Sequence, residues 1–369
     1  MQLLREVGLG GILADDMGLG KTVQALAHLS IEKAEGRLDR PSLVIAPTSL
    51  MGNWQAEAAQ FAPHLKTLVL QGPERKADFG RLAEHDLVFS TYPLLAHDAK
   101  VLAGQEWHLL ILDEAQAIKN PQTTAAKTLR RLTARHRLAL TGTPVENNLG
   151  ELWALYDAIS PGLLGDRKTF TKQWRTPIEK QGDTERQARL SRRLRPFLLR
   201  RTKGDVLADL PPRTDIVEHV TLEANQRAVY EAIRLAMHAK VREAIAKKGL
   251  ARSRIELLEA LLRLRQVCCD PRLVAGARQA GRADKVRAAG SAKLDRLMEM
   301  LPDLVAEGRR VLLFSQFTSM LDLIEAAVTR SDIPHVMLTG QTRDRTSVVR
   351  RFQKGDMPLF LISLKAGGV

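Results

Sequence analysis

Short runs of Val, Ile and Leu alternate with longer amphipathic stretches from the start of the chain to about residue 160, the rhythm of a parallel sheet flanked by helices. The runs predict strands at 42–46, 67–70, 86–90, 109–112 and 137–140, and 23–31 reads as a helix. Each run is followed by a polar residue or a proline. In open α/β sheets ligands gather at the C-terminal ends of the strands, so the chemistry is expected there. Between about 151 and 292 the strand runs fade and helical patterns at 223–248 and 254–267 replace them. The segment 278–293, rich in Gly, Ala and charge, reads as a loop or linker. Beyond 293 the alternation returns, with strands expected at 311–315, 335–339 and 359–363, too few to close a domain of the first one's size.

A chain of 369 residues exceeds the usual size of one compact domain, which favours two folding units. Hydrophobic residues at 44% and charged residues at 27% fit a globular protein and exclude disorder of the whole chain. No apolar run approaches the roughly 20 residues that cross a bilayer, and the N-terminus lacks the features of a signal peptide. The expectation is an intracellular protein with no membrane contact. Cys268 and Cys269 are adjacent and have no second pair, which suits neither a zinc site nor a disulfide framework. A formal net charge of +14 raises affinity for phosphate backbones. Nucleic acid is the leading partner on charge, with a solvated basic surface as the alternative. Arg186, Arg189, Arg192, Arg193, Arg195, Arg200, Arg201 and Lys203 concentrate that charge in a stretch without acids.

Candidate chemistry begins at Gly10-Gly11-Ile12-Leu13-Ala14, which leads into Asp15-Asp16-Met17-Gly18-Leu19-Gly20-Lys21-Thr22. Such a loop aims backbone N–H groups and a helix N-terminus at phosphates. Lys21 would reach the β and γ phosphates and the Thr22 hydroxyl would bind Mg²⁺. The strict GxxxxGK[ST] pattern calls for glycine at position 15, where this chain has aspartate. An ordinary glycine turn is the competing reading. The run 109–112 then delivers Asp113 and Glu114 at its C-terminal end. Adjacent acids there suggest a cation, with Asp113 on Mg²⁺ and Glu114 positioning and deprotonating the attacking water. The alternative is a pair of acids favouring a helix N-terminus.

Taken together, these motifs resemble the Swi/Snf-type DNA-dependent ATPases of helicase superfamily two. ADDMGLGKT at 14–22 resembles motif I, whose family form also carries aspartate at the first position. LVIAPTSLMGNWQAE at 43–57 is similar to motif Ia, DLVFSTYPLL at 86–95 to motif Ib, ILDEAQAIKN at 111–120 to motif II and LALTGTPVENNLGELW at 138–153 to motif III. FLLRRTKGDVLADLPPRT at 197–214 resembles the segment leading to the second lobe, and LRLRQVCCDP at 262–271 the helix after it. VLLFSQFTSMLDLIE at 311–325 resembles motif IV, LTGQTRDRTSVVRRF at 338–352 the segment that follows, and LISLKAGGV at 361–369 the first half of motif V.

The resemblance implies an α/β fold of two RecA-like P-loop lobes joined through a helical insertion: lobe 1 at 1–160, the insertion and linker at 161–292, and the first part of a truncated lobe 2 at 293–369. It implies an ATP hydrolase that works on duplex DNA as a monomeric motor, moving along it and remodelling protein–DNA complexes. Asp16, Met17, Gly18, Leu19, Gly20, Lys21 and Thr22 would bind ATP, with Thr22 and Asp113 on Mg²⁺ and Lys21, Asp113 and Glu114 in catalysis. Thr141, Gly142 and Thr143 would couple the γ-phosphate to DNA. Thr48, Trp54, Thr91, Tyr92, Ser315, Gln316 and Ser363 are the candidate DNA-backbone contacts, since polar side chains suit sequence-independent binding. For Trp54 a core position is the competing reading, and for Arg200 and Arg201 structural and DNA-facing roles stand level. Gln116 occupies the fourth position of motif II, where many relatives carry histidine. A glutamine motif upstream of motif I and the arginines of motif VI are expected of a complete motor and are not in this sequence. The expectation is therefore a piece of a longer protein that hydrolyses ATP poorly by itself, since such an arginine is worth roughly 10³ to 10⁵ in rate. The alternatives are a non-catalytic DNA-binding scaffold and, less favoured by motifs Ia, II and III, an RNA helicase. A cytoplasmic, nucleoid-associated location, or a nuclear one in a eukaryote, goes with the leading reading.

Overall fold

The structure is a computed structural model and describes residues 1–142, 148–206, 214–249, 252–274 and 290–367. It divides into two compact units, Met1–Pro212 and Arg213–Val369. The first is built on a seven-stranded parallel sheet: β1 Gly11–Leu13, β2 Ser42–Ala46, β3 Thr67–Val69, β4 Leu87–Thr91, β5 Glu106–Leu112, β6 Thr133–Leu140 and β7 Leu198–Leu199. Their spatial order is β3-β4-β2-β5-β6-β1-β7. The runs 43–46 in β2 and 109–112 in β5 are apolar throughout because both faces of the sheet are covered there. Leu43, Ile45, Leu110 and Leu112 face one core, while Val44, Ala46, Leu109 and Ile111 face the other. Each such fully buried Leu, Ile or Val stabilises the fold by about 2 kcal/mol relative to leaving it in water.

Helices Lys21–Ala34 and Met51–Phe61 bury Ala25, Leu26, Leu29, Met51, Trp54 and Ala58 against the second of these faces. The other face takes helices Tyr92–His97, Thr124–Arg131 and Leu149–Ile159 through Leu95, Leu129, Leu152, Leu155 and Ile159. Leu164, Phe170, Leu190 and Leu194 join that core as well. The segment read as one insertion, 161–292, is therefore divided: its first part packs with the first sheet and supplies β7, and the rest lies in the second unit.

Two strands were not expected from the sequence. β7 is only two residues long, and β1 only three, too short to show a period, yet β1 sits between β6 and β7. Gly10 allows this approach, because a Cβ there would lie 2.2 Å from the Ile159 carbonyl oxygen.

In the second unit, helices Ala224–Lys248 and Arg254–Cys269 pack as a pair. Buried Gln226 ties them, donating to the Val267 carbonyl at 2.8 Å and accepting from the Ala292 amide at 3.1 Å. Helix Ala292–Ala306, capped by Ser291, begins inside the stretch read as linker; residues 275–289 lie outside the described residues. Three parallel strands follow, β8 Val311–Ser315, β9 His335–Leu338 and β10 Leu359–Ser363, in the order β8-β10-β9. Central β10 is buried along its whole length. Cys268 and Cys269 are free thiols at the end of their helix, and Cys269 packs against the core beneath.

Candidate nucleotide-binding site

The loop between β1 and helix Lys21–Ala34 is shaped by two glycines. Gly18 has φ 87° and Gly20 φ 70°, left-handed conformations that glycine adopts without steric cost. Gly20 is also the helix N-cap, and no side chain caps it. The first helical N–H groups thus open toward the loop, an anion-binding arrangement. Lys21 stands at the helix start with Nζ donating to the Asp15 and Asp16 carbonyls at 2.7 and 3.2 Å. Asp16, Met17, Gly18, Leu19, Gly20, Lys21 and Thr22 all belong to this one turn, and Met17 projects from it, 58% exposed.

Asp113 and Glu114 follow β5 beside it. The Asp113 amide donates to the Ile45 carbonyl at 2.9 Å, which extends the ladder by one residue. Its carboxylate accepts from the Trp54 indole at 2.8 Å and the Glu114 amide at 2.9 Å. Tyr92 donates its hydroxyl to the Asp113 carbonyl at 2.7 Å. Burial raises the Asp113 carboxyl above the usual range and the Glu114 charge adds to this, against the opposing pull of Trp54 and of Lys21. Glu114 has φ 48°, a left-handed conformation that non-glycine residues seldom adopt and that concentrates at functional sites. Gln116 donates to Glu114 at 2.6 Å and accepts from Thr141 at 2.9 Å. Thr141 is buried at the end of β6, its amide bonded to the Leu13 carbonyl at 3.1 Å. Gly142 abuts Met17 of the loop. Thr143 lies outside the described residues.

The aspartate that departs from the strict glycine pattern has a structural reason. Asp15 is fully buried and accepts the Arg201 amide at 3.0 Å, its guanidinium through both carboxylate oxygens, and the Gln24 amide at 3.4 Å. Burial would raise its pKa, but the hydrogen bonds of Arg201 and Gln24 with the Arg201 charge outweigh burial and hold it below the usual value. Arg201 is thereby assigned to the nucleotide loop, while Arg200 remains exposed.

The surface contacts expected for DNA divide in two. Thr48 is exposed in the 3₁₀ turn Thr48–Leu50 after β2, and Gln316 is exposed in the second unit, where Arg265 donates to it. Ser315, partly buried, exchanges hydrogen bonds with the Phe317 backbone at 3.1 and 3.2 Å. Trp54, Thr91, Tyr92 and Ser363 are instead buried, away from the surface expected to meet the DNA backbone. Helix Met51–Phe61 turns Trp54 onto the sheet, where its one polar atom serves Asp113. Thr91 ends a central strand, Tyr92 holds the Asp113 backbone, and the Ser363 hydroxyl accepts the Ala366 amide at 3.3 Å. Gln116 and Gln24 were not singled out for these roles. The visible signal for Gln24 was a polar residue one turn beyond Lys21 on a helix with an apolar face.

Comparison with known proteins agrees with this geometry. The SNF2-related domain model matches residues 1–273, about three quarters of the chain, and the helicase conserved C-terminal domain model matches 292–369. The chain belongs to the SNF2-related family. This SNF2-related chain is 38% identical over 373 residues to the putative ATP-dependent helicase/translocase YwqA of Bacillus subtilis, covering 99% of the chain and 40% of that protein. It is 32% identical to the ISWI chromatin-remodeling complex ATPase ISW1 of Saccharomyces cerevisiae, covering 98% and 33%. The solved Sulfolobus solfataricus SWI2/SNF2 ATPase core in complex with dsDNA is 34% identical with a TM-score of 0.55, covering 98% of the chain and 75% of that structure. The chain thus spans 40% or less of the curated relatives named here. Among its described residues no helix is long and apolar enough to cross a membrane.

Proposed function

We propose that this chain carries the ATP-hydrolysing centre of a monomeric motor that moves along duplex DNA and displaces protein bound to it. The observation that carries the reading is the hydrogen-bonded series Glu114–Gln116–Thr141 beside the phosphate loop. It connects the acid suited to activate water with the strand end that reaches Gly142 and Met17.

Backbone N–H groups of Met17 to Thr22 would bind the phosphates, with Lys21 exchanging carbonyl oxygens for phosphate oxygens. Thr22 and Asp113 offer the hard oxygen donors that suit Mg²⁺, which commonly takes one or two protein ligands and completes its shell from phosphates and water. Asp113 fits such a cation: its carboxyl is raised by burial and by Glu114, so a positive charge would relieve both effects. Mg²⁺ bound there would neutralise phosphate charge and polarise the transferring group. Glu114 would accept the proton of the attacking water, and Gln116 holds the carboxylate in place for it.

Duplex DNA as the track rests on the net charge of +14, on exposed Thr48 and Gln316, and on the dsDNA-bound SWI2/SNF2 relative. The deciding experiment measures ATP turnover of the full-length protein with duplex DNA, single-stranded DNA and RNA, alongside Glu114→Gln. Stimulation greatest with duplex is expected, with turnover lost by at least about 10²-fold in the variant and ATP still bound. Stimulation by RNA alone would replace the track, and binding of DNA without turnover would leave a scaffold.

A further inference from the structure

The segment after residue 197 lies along the nucleotide loop and is fastened to it at each step. β7 pairs with β1, Ile12 against Leu198 and Leu13 against Leu199. The ladder then continues beyond both strands into the loop: the Ala14 amide donates to the Leu199 carbonyl at 2.7 Å and the Asp16 amide to the Arg201 carbonyl at 3.0 Å. The Lys203 amide donates to the Asp16 carboxylate at 3.0 Å. Between them Arg201 grips Asp15, and its guanidinium also donates to Gln24 at 2.6 Å. Gln24 in turn donates to the Leu19 carbonyl at 3.0 Å. Arg201, Asp15 and Gln24 thus bridge the two ends of the loop from its buried side. Lys21 rests on the carbonyls of Asp15 and Asp16, the residues this segment holds.

We infer that Arg201 is a positioning residue for nucleotide, and that through it the loop and the segment 198–206 hold each other in place. The Nε and Nη2 donors of Arg201 are committed to Asp15 and Gln24, which fixes the guanidinium against the loop backbone. It sets the curvature of the backbone that presents the loop N–H groups and the height of the carbonyls beneath Lys21. The same contacts give nucleotide a route to the segment: phosphate that orders the loop orders Asp15 and Asp16, and these anchor Arg201 and Lys203. The inference rests on the nucleotide-binding reading above.

The test uses full-length protein with MgADP as the binding probe and MgATP for turnover. Arg201→Ala should weaken MgADP binding and raise the KM for MgATP by about tenfold, the scale of one lost charge-assisted contact, while kcat changes by less than about threefold. Arg201→Lys should recover part of the affinity. Asp15→Asn combined with Arg201→Ala should weaken binding no more than Arg201→Ala alone, because both remove one link. MgADP should slow tryptic cleavage after Arg200 and Lys203 in the wild type, and Arg201→Ala should lose that protection at Lys203. Arg201→Lys guards against misfolding of the alanine variant, as its affinity is read at wild-type thermal stability. Wild-type MgADP affinity in folded Arg201→Ala, or cleavage indifferent to MgADP, overturns the inference alone. A wild type that binds no MgADP overturns the nucleotide-site reading with it.

Discussion

The two ends of the first sheet both bury charge, and they treat it in opposite ways. At the N-terminal ends of β5 and β6, Glu32 is enclosed with His28 and His108, beside a cavity of about 470 Å³ lined by Arg5, Arg37, Arg135 and His136 among others. Arg37 binds Glu32 at 2.7 Å and His108 Nε2 lies 3.3 Å from it. Burial would raise the Glu32 pKa, but Arg37 outweighs it and holds the carboxyl down at about 2. At the C-terminal ends, the donors that meet the Asp113 carboxylate among the described residues are neutral, an acid stands next to it, and its carboxyl is raised. A neutralised acid has little left to offer a ligand. An acid whose burial outweighs the pull of its countercharge, as Asp113 does that of Lys21, is the one prepared for a cation, so buried charge by itself does not mark a site.

That contrast is open to test, beginning where the expected effect is largest. Glu32→Gln should cost about 3 kcal/mol of stability in denaturant unfolding, since Arg37 loses the charge that compensates it. The KM for ATP should stay unchanged, and a large rise in KM would erase the distinction between the two ends.

Acid titration has a similar scale. Burial, aided by His108 and His136, pushes His28 down to about 4 against the attraction of Glu32. Because the unfolded chain takes up this proton first, stability should fall as pH drops from about 6.5 to about 4, by on the order of 3 kcal/mol. Glu32, whose folded value is depressed, should add a further loss as pH continues down through about 2. Unfolding curves at stepped pH check this, and His28→Gln should flatten the upper part of the profile. A profile equally steep in the variant would remove His28 from the account.

Trp54→Phe should have the smallest effect. Losing the indole donor to Asp113 costs about 1 to 3 kcal/mol and should shift the Mg²⁺ requirement for ATP turnover upward, leaving duplex affinity unchanged. Weaker DNA binding at an unaltered Mg²⁺ requirement would return Trp54 to the DNA surface.

The sequence by itself determined the elements with an internal pattern. Three strands, Ser42–Ala46, Val311–Ser315 and Leu359–Ser363, match their apolar runs end to end, and the others shift by a few residues at their ends. Loop 15–22 and the pair Asp113-Glu114 were legible because spacing along a few residues encodes them: glycines for left-handed turns, lysine at the helix start, acids after a strand. What only tertiary structure decided depends on contacts between distant segments. β1 and β7 are too short to carry a period and exist because neighbouring strands complete their hydrogen bonds. Trp54 and Tyr92 changed from surface candidates to supports of Asp113, 59 and 21 residues away in sequence. The aspartate at position 15 found its explanation in Arg201, 186 residues further along. A local pattern specifies which groups a site contains. The partners that fix their charge and orientation are chosen by the packing that brings remote residues together.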